Sequence, residues 1–433
     1  MKLYSENEKY SLYEGNMLDM LDIIEPNSID SIVTDPPYEL NFMNRGWDNS
    51  GIAFKKETWE KCLQVLKPGG YMLVFGGSRT FHRIACAIED AGFELRDTIM
   101  WIYGSGLAKG INLGLAIDKK NGVESKIIGK KNQTYPDYRD AGKQVTEKFG
   151  IDKLTFGQAE NIKRKEVYAY EAQNEWNGWN SSLKPAYEPI LVCRKPFKGT
   201  LVDNVMKYGV GGINIDECRI PFQSEEDKKE TTQKNQHEQF NSKPYDNSVF
   251  GDASMVHRKD YNTDGRFPAN LILSYDETDA EEVISGFPHT KSTGGSGEKS
   301  IINNFANIYG DYSHNKPGAH LGGLGDEGSA ARYFYCAKAS KKDRNDGLSE
   351  KNPHVTVKPC SLMQYLVRLV TPKNGTVLDP FNGSGSTGKA CMYENKERDA
   401  NYKYIGIEIT SEYLPVSEAR INFAINANEK EEI

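Results

Sequence analysis

The chain has 433 residues, 38% of them hydrophobic and 27% charged, with a formal net charge of −7. That length supports a large buried core in one to three domains. No apolar run reaches membrane-spanning length and the N-terminus has no apolar signal region, so a membrane protein is not expected and a cytoplasmic one is. The seven cysteines are odd in number and include no CxxC pair, which argues against a disulfide framework or a zinc site of the usual spacing, and no metal is expected. The acidic balance weighs only weakly against nucleic acid, because binding follows local basic surface rather than the sum.

Taken in chain order, residues 10–13 read as a short strand closed by Glu14-Gly15-Asn16, and 17–24 have helical spacing. Residues 29–34 form a strand. Residues 55–66 are an amphipathic helix, with Trp59, Cys62, Leu63 and Leu66 on one side, stopped by Lys67-Pro68-Gly69-Gly70. A buried strand at 71–75, a helix at 80–91 and a strand region at 93–103 follow. Strands alternating with helices at this spacing define an α/β layered domain.

The pattern fades after Gly104. Residues 120–180 are polar, and 119–169 gather Lys119, Lys120, Lys126, Lys130, Lys131, Arg139, Lys143, Lys163, Arg164 and Lys165, while acids concentrate elsewhere, as at 277–282. This is either a DNA-contacting segment or an ordinary solvated one. Residues 189–194 restore a strand. Residues 200–350 are Gly-, Asn-, Ser- and Lys-rich, with short apolar pieces at 270–273 and 331–336 and loops at 291–300 and 314–328. Alternation returns with a helix at 361–370, a strand at 376–379, a helix from Ser386, a strand at 404–408 and a helix at 412–425. The expected fold is a doubly wound Rossmann-like α/β sheet assembled from both ends of the chain, with an irregular inserted region about 150 residues long.

Thr34-Asp35-Pro36-Pro37-Tyr38 closes the 29–34 strand. Asp-Pro is common turn chemistry, but two prolines also remove two backbone donors and fix φ, so the neighbouring carbonyls are free and held still. A carboxylate plus a free carbonyl can accept both hydrogens of an exocyclic amine. Tyr38 adds a stacking face, worth about 1–3 kcal/mol per base. Asp35, Pro36, Pro37 and Tyr38 are therefore the candidate catalytic residues, forming a rigid cup for a planar base.

Residues 377–390 run from a strand through the Gly-rich turn Asp379-Pro380-Phe381-Asn382-Gly383-Ser384-Gly385-Ser386 into a helix, the general form of a nucleotide or nucleoside cradle. The turn almost fits the phosphate loop GxxxxGK[ST], but Ala390 stands where the magnesium-binding hydroxyl belongs. Asp379 also puts a negative charge where a phosphate would sit, which suits the cationic methionine end of a nucleoside better. Gly383 and Gly385 let the backbone approach such a ligand. Glu408 ends the next strand 29 residues after Asp379, and an acid there reaches a ribose diol or simply begins a helix. In His354-Val355-Thr356-Val357-Lys358-Pro359, alternation puts His354, Thr356 and Lys358 on one side. Lys358 there would meet a carboxylate, or the segment is a polar edge.

Together these motifs resemble the amino-methylating DNA methyltransferases, which carry [DNS]PP[YFW] and an FxGxG turn. This chain has DPPY at 35–38 and FNGSG at 381–385. The catalytic motif comes first, then a long variable region, then the cofactor motif, as in the beta group of that family. HVTVKP at 354–359 resembles the group's H-P-T-x-K-P segment, with valine at the first proline's place. LKPGGYMLVFGG at 66–77 and SSLKPAYEPILVCRKP at 181–196 resemble segments flanking the catalytic half. The likeness covers about residues 10–105, 176–200 and 350–425. The family commonly has Gly-Asp after its first strand, where the acid contacts the cofactor adenine. Gly15-Asn16 stands here, and asparagine still accepts from an adenine amine.

The resemblance implies a catalytic part over 1–200 with a polar insertion at about 120–175, a target-recognition region over 201–350, and a cofactor-binding part over 351–433. It implies S-adenosylmethionine, held by Asn16, Thr356, Lys358, Asp379, Pro380, Phe381, Gly383, Gly385, Ser386 and Glu408. It implies double-stranded DNA as substrate, with the target base flipped into the cup. In the family an Asp at the first motif position accompanies adenine N6 far more often than cytosine N4, where Ser is usual, so adenine is expected and cytosine is the alternative. The resemblance leaves room for a homodimer and for a cognate restriction endonuclease. Arg45, Trp47 and Asp48, just past the cup, either line the pocket or form a surface loop. The other readings are a P-loop ATPase, an inactive DNA-binding module, and amino methylation of RNA or protein at the same cup.

Overall fold

The computed structural model describes residues 2–40, 49–103, 110–136, 164–222, 224–225, 227–228, 265–275, 287–291, 327–338, 342–354 and 356–427. Arg45, Trp47, Asp48, Arg139, Lys143, Lys163 and the acidic run at 277–282 lie outside the described residues. The strands are β1 Lys2–Glu6, β2 Tyr10–Glu14, β3 Ile29–Thr34, β4 Leu66–Phe75, β5 Glu94–Tyr103, β6 Lys126–Pro136, β7 Arg164–Glu171, β8 Tyr187–Arg194, β9 Leu271–Tyr275, β10 His289–Lys291, β11 Glu327–Ser329, β12 Tyr335–Lys338, β13 Thr376–Asp379 and β14 Lys403–Glu408. The helices are α1 Met17–Met20, α2 Lys56–Val65, α3 Phe81–Asp90, α4 Leu113–Asn121, α5 Leu201–Tyr208, α6 Cys360–Val370, α7 Ser386–Arg398 and α8 Leu414–Asn426.

Ten strands form one sheet in the order β1-β2-β14-β13-β3-β4-β8-β5-β9-β12. Strands β2, β14, β13, β3 and β4 are mutually parallel. Strand β8 inserts antiparallel between β4 and β5, and β9 and β12 continue parallel to β5. A parallel sheet is stable when both faces are covered, so its strands read as continuous apolar runs. All six residues of β3 are buried.

On one face α1, α2 and α3 bury Met17, Trp59, Cys62, Ile84 and Ile88 against Ile32, Val74 and Leu378. On the other, α6, α7 and α8 bury Leu362, Leu366, Ala390, Leu414 and Ile421 against Val33, Val377 and Tyr404. Each fully buried aliphatic side chain contributes about 1.5–3 kcal/mol. Helix α2 turns Thr58, Trp59, Cys62 and Val65 inward; of the residues its spacing placed on one side, Trp59 and Cys62 are buried, Leu63 is half-buried and Leu66 opens β4. The Trp59 indole N–H donates to the Ala53 carbonyl at 2.9 Å.

The expected doubly wound sheet built from both ends of the chain is observed, with differences in detail. Strand β4 begins at Leu66, not at Tyr71. Gly69 donates to the Lys195 carbonyl and Lys195 to the Gly70 carbonyl, each at 3.0 Å, so the Pro-Gly-Gly segment is drawn into the sheet. Helix α1 stops at Met20, a single turn capped by Asn16. The polar stretch after Gly104 contains helix α4 and the antiparallel hairpin β6–β7. The short apolar pieces of the middle region are sheet strands: Leu271 and Ile272 pair beside Met100 and Trp101 of β5, and Tyr335 and Cys336 pair beside Ile272 and Leu273. No helix among the described residues is long and apolar enough to cross a membrane.

Candidate active site

Strands β3 and β13 are adjacent, with Ser31 opposite Val377 and Ile32 opposite Leu378. From this pair the chain winds outward in both directions, through β4 on one side and through β14 on the other. A doubly wound sheet opens its ligand crevice at such a point, outside the carboxyl ends of the strands. Here Asp35 leaves β3 and Asp379 ends β13, so two motifs far apart in sequence become neighbours. A cleft of about 1150 Å³ runs along this edge, and its lining includes Asn16, Asp35, Pro36, Pro37, Tyr38, Glu188, Lys358, Asp379, Gly383 and Glu408.

The Gly-rich turn is held from within. Thr34 and Thr387 donate to the two oxygens of Asp379 at 2.6 and 2.7 Å, and the Phe381 amide donates to Oδ1 at 3.1 Å. Burial pushes the Asp379 carboxyl up to about 6, against these hydrogen bonds. The Gly383 amide donates to Glu408 Oε2 at 2.7 Å and the Thr410 amide to Oε1 at 2.8 Å. Burial raises the Glu408 carboxyl, and these amides oppose it. Asn382 Oδ1 accepts from Tyr404 at 2.7 Å.

Gly383 has φ +52°, and a Cβ there would lie 2.9 Å from His354 Nε2. The turn thus needs glycine both for its backbone conformation and for the close approach of His354. Gly385, at φ +73°, is the N-cap of α7.

The lysine that would serve a phosphate loop points elsewhere. Lys389 Nζ is buried against Asp343 Oδ1 at 2.6 Å and Asp346 Oδ2 at 2.9 Å. Behind the turn, Arg420 donates to the Ser384 carbonyl at 2.8 Å and to the Ser386 hydroxyl at 3.0 Å. Its sequence gave no sign of this role, since an Arg inside a helix is ordinary.

The cup is organised differently. Lys358 Nζ is buried and pairs with Asp35 Oδ2 and, at 3.5 Å, with Glu188 Oε2. It lies 5.3 Å from the centre of the Tyr38 ring and 4.9 Å from that of Phe75, within cation–π range. Asp35 Oδ1 is buried and has no hydrogen-bond partner among the described residues. Burial pushes the Asp35 carboxyl up, the Lys358 charge pulls it down, Glu188 pushes it up again, and the hydrogen bonds of Lys358 and of the nearby Tyr38 hydroxyl, which itself donates to Glu188 at 2.8 Å, pull it down, so it ends above the ordinary carboxylate value. Burial draws the Lys358 ammonium down, but Asp35 and Glu188 more than reverse this, and it ends raised.

Tyr38 donates to Glu188 Oε2 at 2.8 Å and Tyr103 to Oε1 at 3.2 Å. A Cβ on Gly77 would lie 3.2 Å from Tyr38 Cδ2, so the absence of a side chain there makes room for the ring.

All the residues expected at a cofactor site border this cleft except Gly385. Asn16 does so while its side-chain oxygen caps α1, accepting from the Leu18 amide at 3.1 Å. Thr356 is exposed on the cleft wall. Lys358, expected to serve the cofactor, contacts carboxylates of the cup. Glu188 and Tyr103 were not singled out from the sequence. Strand β8 runs antiparallel, so its first residues meet the same sheet edge as the last residues of its neighbours. The apolar run from Pro189 marks the strand in the sequence, but the strand begins two residues earlier, at Tyr187, and so takes in Glu188.

A doubly wound sheet with a DPPY cup and an FxGxG turn on adjacent strands defines a class of methyltransferase-like proteins. Residues 29–419 match the DNA methylase family, N6_N4_Mtase, and the chain belongs to that family. It is 21% identical over 247 residues to the type II methyltransferase M.HindIII of Haemophilus influenzae, covering 47% of this chain and 64% of that one. It is 36% identical over 101 residues to the type II methyltransferase M.HpaI of Haemophilus parainfluenzae, covering 22% of this chain and 32% of that one. The chain thus spans less than two thirds of the length of these relatives. Among solved structures it is similar to the PvuII DNA methyltransferase, described as cytosine-N4-specific, at 13% identity and a TM-score of 0.37, covering 95% of this chain and 86% of that one.

Proposed function

We propose that this protein methylates an exocyclic amine of a DNA base, using S-adenosylmethionine as methyl donor, and that the base is adenine. The observation that carries the reading is Asp35 Oδ1, a buried acceptor with no partner among the described residues, beside Tyr38 in a cleft continuous with the Gly-rich turn. A buried, unsatisfied acceptor costs about 1–3 kcal/mol, and more when charged. An incoming N–H relieves that cost, so the cup favours a ligand that donates.

The turn suits the cofactor. Gly383 leaves open backbone where a side chain would strike His354, Glu408 stands on the cleft wall, and Asn16 lies at the end of the strand beyond β14. When bound, S-adenosylmethionine supplies a sulfonium methyl that is transferred as its C–S bond breaks, the bonding pair passing to sulfur. The chain supplies the rest. Asp35 accepts one hydrogen of the amine, and the Pro36 carbonyl, held still by the fixed φ of the two prolines, accepts the other. That arrangement turns the nitrogen lone pair toward the methyl group. Positive charge moves onto nitrogen as the N–C bond forms, and the nitrogen then releases a proton to Asp35 or to water. Much of the rate comes from holding the atoms in line. Extracting the base from a duplex costs a few kcal/mol, which stacking on Tyr38 offsets in part.

Adenine rests on the resemblance of DPPY to the adenine-modifying members, and cytosine N4 is the second reading because its NH₂ offers the cup the same chemistry. The test is transfer from labelled S-adenosylmethionine to unmethylated genomic DNA, with the product nucleoside identified by mass spectrometry. N6-methyladenine supports the full reading and N4-methylcytosine corrects the base. No transfer by folded protein that binds S-adenosylmethionine overturns it.

A further inference from the structure

Lys358 presents an electrostatic problem for the cup. A methyl transfer that moves positive charge onto the amine nitrogen gains from nearby negative charge. Asp35 supplies one negative charge, and Lys358, paired directly with its Oδ2, cancels it. Glu188 supplies a second carboxylate to the same ammonium, 3.5 Å away. The three side chains together carry one net negative charge, in a site where Asp35 and Lys358 are largely withdrawn from solvent. Each also fixes another group. Lys358 occupies one Asp35 oxygen and leaves Oδ1 without a partner among the described residues. Glu188 holds the Tyr38 and Tyr103 hydroxyls, one on each carboxylate oxygen.

We propose that Lys358 and Glu188 are positioning residues of the base cup, rather than cofactor ligands or structural pairs: Lys358 sets the Asp35 carboxylate so that one oxygen is reserved for the amine, and Glu188 sets the Tyr38 ring and restores the negative charge that Lys358 cancels. The inference rests on the methyl-transfer reading for its purpose but not for its geometry. The charged and titratable groups that act on Asp35 are Lys358 from the segment before α6, Glu188 from β8, Asp379 from β13 and Tyr38 from the cup itself, and Tyr103 from β5 reaches them through Glu188. If the assignment holds, the two partners act on Asp35 with opposite signs. Removing Lys358 takes away the charge that favours the carboxylate, and removing Glu188 takes away a charge that opposes it.

The experiment uses the full chain and the variants Lys358→Met, Lys358→Arg and Glu188→Gln, each checked for folding and for S-adenosylmethionine binding. Carboxyl ¹³C resonances of Asp-labelled protein are titrated, with Asp35 identified by the signal that Asp35→Asn removes. The expected result is that Asp35 titrates at higher pH in Lys358→Met and at lower pH in Glu188→Gln. In the same proteins kcat falls on the order of 10²-fold, as for a reacting group out of place, with cofactor binding retained and partial recovery in Lys358→Arg. The acid limb of kcat against pH should follow the Asp35 titration in each variant. Unmoved Asp35 titrations, or loss of cofactor binding in step with activity, overturn the inference even if wild-type transfer is robust. Wild-type protein that transfers no methyl group overturns the functional reading instead, and the titrations still decide whether the three side chains act as one unit.

Discussion

Around the Gly-rich turn, polar atoms are matched to one another. Asp379 takes donors from Thr34, Thr387 and the Phe381 amide, Glu408 takes two backbone amides, and Lys389 sits between Asp343 and Asp346. Arg420 Nε is the exception there. In the cup one strand away, Asp35 has one oxygen saturated by a buried ammonium and the other unpaired among the described residues. The turn is therefore a scaffold whose shape is complete by itself. In the cup one acceptor, Asp35 Oδ1, lacks a donor among the described residues, and under the proposed function that is where a substrate hydrogen would sit.

This contrast predicts that substitutions in the cup change rate while those in the turn change stability. The largest effect is expected for Asp35→Ala. Methyl transfer should fall by on the order of 10²–10⁴-fold, the usual range for a positioned proton acceptor, with cofactor binding retained, as read by single-turnover transfer and calorimetry. Next is Lys389→Met, which removes a buried cation from two partly buried carboxylates, leaving Asp346 without it and Asp343 with Arg420 at 3.6 Å. Urea denaturation should show a loss of about 3–5 kcal/mol, whereas an ammonium poised for a phosphate would leave stability nearly unchanged.

Asp379 offers a subtler test through pH. Its carboxyl lies at about 6 in the fold against 3.8 ordinarily. The unfolded chain therefore gives up this proton first, so the cost of burying the charge is absent below pH 3.8 and complete above about 6. Asp379→Asn should remove that dependence, so the stability difference between wild type and variant changes across this window and is flat outside it. The smallest effect is expected for Gly385→Ala. There φ is +73° and a Cβ would lie 2.4 Å from Ser417 Oγ, a strain of about 1–3 kcal/mol visible as a lowered Tm.

What could be read from the sequence follows the same division. Pro36-Pro37 and the glycines of the turn signal themselves because their constraints are local: a missing N–H, a fixed φ, a positive φ. Most strands and helices at both ends of the chain were legible from apolar runs and spacing, but β1 at Lys2–Glu6, a polar edge strand, was not. Lys358 was legible as a residue that would meet a carboxylate, but Glu188 as one of its partners was not, because their meeting depends on β8 entering the sheet against the direction of its neighbours. A one-residue change of register would turn Glu188 to the other face. Strands β9 and β12 were read only as short apolar pieces, since four or five residues in a polar stretch do not reveal which sheet they join. Arg420 and Asn382 lacked a signal for a similar reason: a buried polar residue looks exposed until its partners are in place.

The most direct test is a crystal structure of the protein with a non-reactive S-adenosylmethionine analogue and a duplex containing the modified sequence, that sequence first being located by mapping methylated genomic DNA. The account predicts the target base outside the helix against Tyr38, with its exocyclic nitrogen about 2.7–3.2 Å from Asp35 Oδ1 and in line with the analogue's sulfur position. A flipped base whose amine is held by other groups, with Asp35 Oδ1 still unpaired, would contradict it.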